Sequence, residues 1–157
     1  MTDMMKEITI RPAGKGDYDR TNALLMQVQD LHVRLRPDIY QPVSGILSRE
    51  EFSALAEQER ILLAEADGEI AGLVWLSVRH IENPIQKTRN VLYLDAMVVD
   101  EPFRRQGIAR QLLAHVKCMA ENGYDGFELQ VNAANDAARK LYAAFGFREK
   151  SINMELL

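Results

Sequence analysis

The stretch Met97-Val98-Val99-Asp100-Glu101-Pro102-Phe103-Arg104-Arg105-Gln106-Gly107-Ile108-Ala109 decides how this chain folds. Its first three residues close an apolar run that starts at Val91. Its last two open a run with helical apolar spacing through Ile108, Leu112, Leu113, Val116 and Met119. A strand therefore enters a tight turn, and the turn opens directly into a helix. The first N–H groups of a helix have no intrahelical partner, and the helix dipole makes that end partly positive. Such an end holds an anionic phosphate if the backbone can approach it closely. Gly107 allows that approach because it lacks a Cβ, Ala109 keeps the next turn slim, and Arg104, Arg105 and Arg110 add charge-assisted donors. Taken alone, Gly107 also fits an ordinary loop glycine and the arginines a solvated face. The pattern differs from the nucleotide-triphosphate loop, having no Lys-Ser/Thr after the glycine, and from the Gly-x-Gly-x-x-Gly dinucleotide fingerprint.

Upstream, Ile8 and Ile10 alternate with polar residues up to Pro12, a short strand. Asp17 is placed to cap a helix through Leu24, Leu25, Val28 and Leu31, which must end by Arg36 because Pro37 follows. Ser48-Arg49-Glu50-Glu51 has the capping-box form and predicts a second short helix to about Gln58. Ile61–Glu65 and Ile70–Val78 flank Asp67-Gly68 and read as a hairpin. Downstream, Gly123 stops the central helix, and Phe127, Leu129 and Val131 alternate as a strand over about 126–131. Asp136–Phe145 reads as a helix ending at Gly146, and Phe147–Leu157 as a closing strand. The order β-α-α-β-β-β-α-β-α-β implies one α/β domain over 1–157, built on a mixed sheet.

Composition narrows the function. The chain has 157 residues, 47% hydrophobic and 27% charged, the balance of a globular domain. Residues 1–80 hold 9 Lys/Arg against 13 Asp/Glu, and residues 81–157 hold 10 against 10, so the whole excess of −4 lies in the first half. A nucleic-acid binder would carry a basic excess instead, and the small arginine cluster suits a small phosphorylated ligand. Cys118 is the single cysteine, which excludes an intramolecular disulfide and a cysteine-rich metal site. His80 and His115 lack ligand-spaced neighbours, so no metal is expected. Met1–Lys6 does not read as a signal peptide, and no apolar run approaches the roughly 18 residues that span a membrane. A cytoplasmic protein with no membrane partner is the expectation.

Arg104-x-x-Gly107-x-Ala109 after a Met-Val-Val strand resembles the pyrophosphate-binding motif of the GNAT acetyltransferase superfamily. The run Leu129-Gln130-Val131-Asn132-Ala133-Ala134-Asn135 through Leu141-Tyr142-Ala143-Ala144-Phe145-Gly146-Phe147 is similar to that family's second motif. The match is sharp over roughly residues 91–148 and loose before them. The resemblance implies a sheet of about six to seven strands flanked by about four helices, in which two neighbouring central strands, 91–99 and 126–131, splay apart. It implies that acetyl-CoA lies in the resulting V. Met97, Val98 and Val99 would run beside the pantetheine arm, with the Met97 amide polarising the thioester. The turn residues Arg104, Arg105, Gln106, Gly107, Ile108, Ala109 and Arg110 would hold the pyrophosphate, and Asn135 would touch the cofactor arm.

The same resemblance implies acetyl transfer to an amine by direct attack in a ternary complex, with Tyr142 beside the leaving sulfur. A phenol near pKa 10 is a weaker acid than a thiol near 8.5, so a hydrogen bond to the developing thiolate is the expected role. Tyr142 packed on the core is the structural alternative. A base is needed because an alkylamine has a pKa near 10.4. Asp95, two residues before Met97 and so on the same face of a regular strand, is the candidate, ahead of Glu128 and Tyr93. Cys118, in the helical stretch, is expected to be buried rather than to carry an acyl group. Trp75 is expected in the core. The first half should build the acceptor site, with His32 and Tyr93 as candidate lining. The acidic first half leans towards a cationic small-molecule or peptide amine, and a homodimer fits the fold. The competing readings are a non-catalytic acyl-CoA sensor of the same fold and an interaction module using Arg104 and Arg105.

Overall fold

The computed structural model describes residues 7–157, so the reading of Met1–Lys6 lies outside the described residues. In chain order come β1 (Ile8–Pro12), α1 (Tyr18–Leu35), α2 (Arg49–Glu57), β2 (Ile61–Ala66), β3 (Glu69–Asn83), β4 (Gln86–Val99), α3 (Ile108–Glu121), β5 (Gly126–Leu129) and α4 (Asp136–Phe145). Short 3₁₀ turns at Lys15–Asp17 and Glu101–Phe103 precede α1 and α3. Among the described residues the five strands form one sheet in sequence order, antiparallel throughout except that β5 runs parallel to β4. No helix among the described residues is long and apolar enough to cross a membrane.

Local chemistry accounts for most boundaries. The capping box at Ser48 forms in both directions: Ser48 Oγ accepts from the Glu51 N–H at 3.0 Å, and Glu51 Oε2 accepts from the Ser48 N–H at 2.9 Å. Asp17 stands at the N-cap position of α1 but does not cap that helix. Its carboxylate instead accepts from the Gly14 N–H and the Arg11 guanidinium, each at 2.8 Å. A charged partner outcompetes the neutral amides of the first turn. Arg11 and the Gly14 amide hold the Asp17 carboxyl below its ordinary value.

Alternation splits the buried side chains into two cores, one on each face of the sheet. Leu62, Val74, Leu76, Leu92 and Leu94 pack with Ile108, Leu112, Leu113 and Val116 of α3. Their neighbours along the strands turn the other way: Ile61, Leu63, Leu73 and Val98 pack with Leu24, Leu25 and Phe52 of α1 and α2, and Trp75 packs against them. Cys118, expected to be buried, is exposed. At 100° per residue it sits away from the buried stripe of Leu112, Leu113, Val116 and Ala120.

The sheet has five strands rather than six to seven, because Phe147–Leu157 does not close it. Phe147 docks on Phe127 and Tyr142, at 5.1 and 5.7 Å between ring centres, but Ile152, Met154 and Leu156 are exposed. An apolar alternation becomes a strand only where a partner backbone and a face to cover are available, and β5 offers an edge of four residues. The tail is held instead by ion pairs, Lys150 to Glu128 at 2.8 Å and Glu155 to Arg36 at 2.5 Å.

Gly72 shows how tightly β3 approaches β4. A Cβ there would lie 2.8 Å from the Val98 carbonyl oxygen and 3.4 Å from Val99 Cα. Gly72→Ala should lower unfolding free energy by about 1–3 kcal/mol through overpacking, measured by urea denaturation. An unchanged midpoint would mean that the strands move apart at no cost.

Candidate functional site

The strand pairing itself opens the site. β5 follows β4 only from Val91↔Gly126 to Leu94↔Leu129, whereas β4 continues against β3 to Val99. From Asp95 to Val99 the outer edge of β4 thus has no strand beside it among the described residues. A bulge lies at the fork: Trp75 pairs with Ala96 and Leu76 with Leu94, leaving Asp95 as an extra residue. The bulge changes the phase of β4. Leu92 and Leu94 share a core with Met97 and Val99, while Ala96 and Val98 face the other core. The regular alternation that would put Asp95 on the face of Met97 is therefore broken between them. Asp95 is exposed at the fork.

Beyond Val99 the chain makes the 3₁₀ turn and then a loop with two left-handed residues, Arg105 at φ 64° and Gly107 at φ 78°. Gly107 is the N-cap of α3, and the first helical bond runs from the Gln111 N–H to the Gly107 carbonyl at 3.1 Å. Among the described residues, the six successive N–H groups of Arg105, Gln106, Gly107, Ile108, Ala109 and Arg110 donate to no acceptor within the chain. Consecutive amides curled by left-handed residues form an anion-binding concavity, here at the positive end of a 14-residue helix. A Cβ at Gly107 would meet nothing within 4 Å. The glycine is thus required for its positive φ and for what approaches from outside, not for packing within the chain.

The arginines divide their work. Arg104 Nε donates to the Val99 carbonyl at 3.0 Å and fastens the turn to the end of β4. Arg110 reaches the Ala144 carbonyl of α4 at 3.4 Å. Arg105 and Gln106 are exposed, Gln106 making a 3.5 Å contact with the Pro102 carbonyl. Across the fork, Asn135 caps α4 by accepting from the Ala138 N–H at 3.2 Å, which occupies its carbonyl oxygen and leaves its amide nitrogen for another partner. Tyr142 packs half-buried against the α3-side core, and burial pushes its phenol up to about 12. It remains a neutral O–H donor throughout the neutral range.

On the opposite face, His32 is half-buried with its ring 4.8 Å from that of Tyr40, and burial lowers its imidazole below the usual 6.5. Tyr93 is buried, with the Arg79 guanidinium stacked 3.3 Å over its ring. Glu128 is bound by Lys150 and by Arg89, the latter at 3.1 Å; burial alone would raise its carboxyl, but the two cations hold it below its ordinary value. Glu128 is thus committed to ion pairs, unlike Asp95.

One cluster has no signature in the sequence. Asp100, where β4 meets the turn, accepts from Gln27 at 2.8 Å, from Arg20, and from the Glu101 N–H at 3.0 Å. Arg20 also donates to the Ile70 carbonyl at 2.9 Å. These bonds clamp α1 to the start of the phosphate-type turn, across 73 and 80 residues of sequence. The Gln27 and Arg20 donors hold the Asp100 carboxyl below its ordinary value. A depressed native pKa adds stability above the unfolded pKa and loses it as pH falls through the native one. Asp100→Ala should therefore cost about 1–2 kcal/mol at neutral pH, the partly exposed Arg20 keeping the value low, and the deficit should shrink in acid. Urea melts at pH 7 and pH 3 check this; a deficit equal at both would assign the loss to packing.

Comparison with known proteins agrees with this geometry. The model of the Acetyltransferase (GNAT) family matches residues 25–147. The aminoglycoside N(6')-acetyltransferase type 1 of Salmonella typhimurium is 31% identical over 104 residues, 60% of this chain and 72% of that protein. A mutant of the BH1408 protein from Bacillus halodurans has the same fold with a TM-score of 0.89 at 27% identity, covering 95% of this chain and 98% of that one. The aminoglycoside N-acetyltransferase AAC(6')-Iy in complex with CoA shares the fold at a TM-score of 0.68 and 21% identity, over 96% of this chain and 98% of that one. With a family model spanning both the forked strands and the amide-lined turn, the chain belongs to the acetyltransferase (GNAT) family.

Proposed function

We propose that this N-acetyltransferase carries acetyl-CoA in the fork between β4 and β5 and passes the acetyl group directly to an amine of a small molecule or peptide. The observation that carries the proposal is the run of six N–H groups, Arg105 to Arg110, without acceptors among the described residues, beside a strand edge that has lost its neighbour. The amides would hold the pyrophosphate, helped by the Arg105 guanidinium. Met97, Val98 and Val99 would present backbone groups to the pantetheine arm as a neighbouring strand does, and the Asn135 amide nitrogen would close on it from α4.

Negative charge that builds on the thioester oxygen would be met by the Met97 amide, and charge on the departing sulfur by the Tyr142 hydroxyl. A phenol near 12 is too weak an acid to give up its proton to a thiolate, so Tyr142 acts as a hydrogen-bond donor. Asp95 would accept the proton of the incoming ammonium, directly or through water. Cys118 supports direct attack over a covalent route: it lies on the solvent side of α3, about 15 Å along the helix from the turn. His32, neutral at pH 7, and Tyr93 would line the acceptor side.

Calorimetric titration with acetyl-CoA, CoA and ATP, followed by CoA release across a panel of amines, tests this. Acetyl-CoA and CoA should bind well above ATP, and at least one amine should release CoA. Absence of acetyl-CoA binding would remove the proposal; binding without transfer to any amine would favour an acyl-CoA sensor.

A further inference from the structure

A second groove, of about 580 Å³, runs along the acceptor-side face of the sheet and is lined by Arg79, Lys87, Arg89 and Lys150 over Val91, with Glu128 as the one acid. Alternation fixes the face. Leu73 and Trp75 of β3 pack on the α1-side core, and Arg79 follows in the same phase; Phe127 and Leu129 of β5 pack on the α3 side, so Glu128 turns the other way. The amide-lined turn leads into α3 on the opposite side of the sheet.

The groove adjoins the fork. Glu128 pairs with Tyr93, one residue before Leu94, where β4 and β5 part. The C-terminal tail walls it, because Lys150 bonds Glu128 and Glu155 bonds Arg36 at the end of α1. Its charges are organised. Glu128 orients Arg89 and Lys150, Arg79 is stacked on Tyr93, and Lys87 makes no ion pair among the described residues. Four cations against one carboxylate leave a net of +3 in a groove whose near edge lies at Glu128, beside the start of the fork.

We infer that the acceptor carries an anionic group, a carboxylate, that docks between Arg79, Lys87, Arg89 and Lys150 while its amine reaches the fork. The inference rests on the N-acetyltransferase reading and adds the substrate class to it. At about 3.3 Å per strand residue, the four residues from Tyr93 to Met97 separate the edge of the groove from the reacting position by about 13 Å. An extended peptide of about four residues spans that distance from its α-amine to its carboxylate. A short peptide with a free C-terminus fits, and a polycationic amine is repelled. The acidic first half of the sequence leans the other way, because net charge per half does not record that cations from β3, β4 and the tail meet in one place.

The test uses tetraalanine, its C-terminal amide and an aminoglycoside, with the CoA-loaded protein. Calorimetry should show tetraalanine binding about tenfold more tightly than its amide, a difference that salt erodes. Lys87→Glu and Arg79→Gln should each reduce that preference at least severalfold, while acetyl-CoA affinity stays unchanged. Where CoA release is measurable, the carboxylate form should show the lower KM. Equal binding of the two peptides, or tighter binding of the aminoglycoside, would overturn the inference while leaving the acetyltransferase reading standing. Loss of acetyl-CoA binding or of all acetyl transfer would instead strike the reading beneath it, since peptide binding is read independently of turnover.

Discussion

Gly107→Glu is expected to reduce acetyl-CoA affinity by at least about 100-fold, equivalent to about 2.7 kcal/mol. Two effects act in the same direction. A residue with a Cβ held at φ 78° pays a conformational penalty of about 1–2 kcal/mol or rearranges the turn, which would rotate the amides of Arg105 to Arg110 out of register. The carboxylate would also enter the space outside the turn, where a Cβ meets no atom of the described residues within 4 Å and where a phosphate would have to lie. Gly107→Ala separates the two, since it brings the conformational penalty with little bulk and no charge. It should weaken binding by a smaller factor and lower stability modestly. Calorimetry on both variants is decisive: wild-type affinity in Gly107→Glu would show that the turn holds no phosphate.

Tyr142→Phe should lower kcat by about 10- to 100-fold and leave acetyl-CoA affinity nearly unchanged, the range expected for one donor aimed at developing charge. The phenol is half-buried in the α3-side core, and its ring contacts with Phe147 survive the substitution, so the fold should be retained. Because burial puts the phenol at about 12, it does not titrate in an ordinary assay. The ratio of wild-type to variant kcat should therefore stay constant from about pH 6 to 9, whatever the acceptor amine does over that range. A ratio that changed with pH would mean Tyr142 ionises in the working enzyme. A kcat equal to wild type would reduce the residue to packing.

The clamp on Asp100 joins the amide-lined turn to the acceptor side. It ties α1, which carries His32 at its far end, to the junction of β4 and the phosphate-type turn. The bulge at Asp95 has a related position. An extra residue at the point where two strands part lets β4 pair with β5 before the fork and keep its pairing with β3 as far as Val99 after it.

Local signals along the chain were enough for most of the framework. Apolar period, the capping box at Ser48, the Asp67-Gly68 hairpin, Pro37 after α1 and Gly146 after α4 each act over a few residues, and each element they predict is present except the closing strand over Phe147–Leu157. The turn at Arg104–Ala109 was legible for the same reason: a left-handed glycine at the mouth of a helix is a local requirement. Contacts that no apolar or capping pattern records set the rest. Asp17 turned from its helix to Arg11, the closing strand failed for want of a partner on a short edge, and Asp95 left the face that alternation gave it because a bulge on β4 restored pairing with β3. Arg20, Gln27 and Asp100 carry no shared pattern, and neither do Arg79, Lys87, Arg89 and Lys150. Charge and hydrogen-bond complementarity act through space, so only the packed tertiary structure decides which side chains they join.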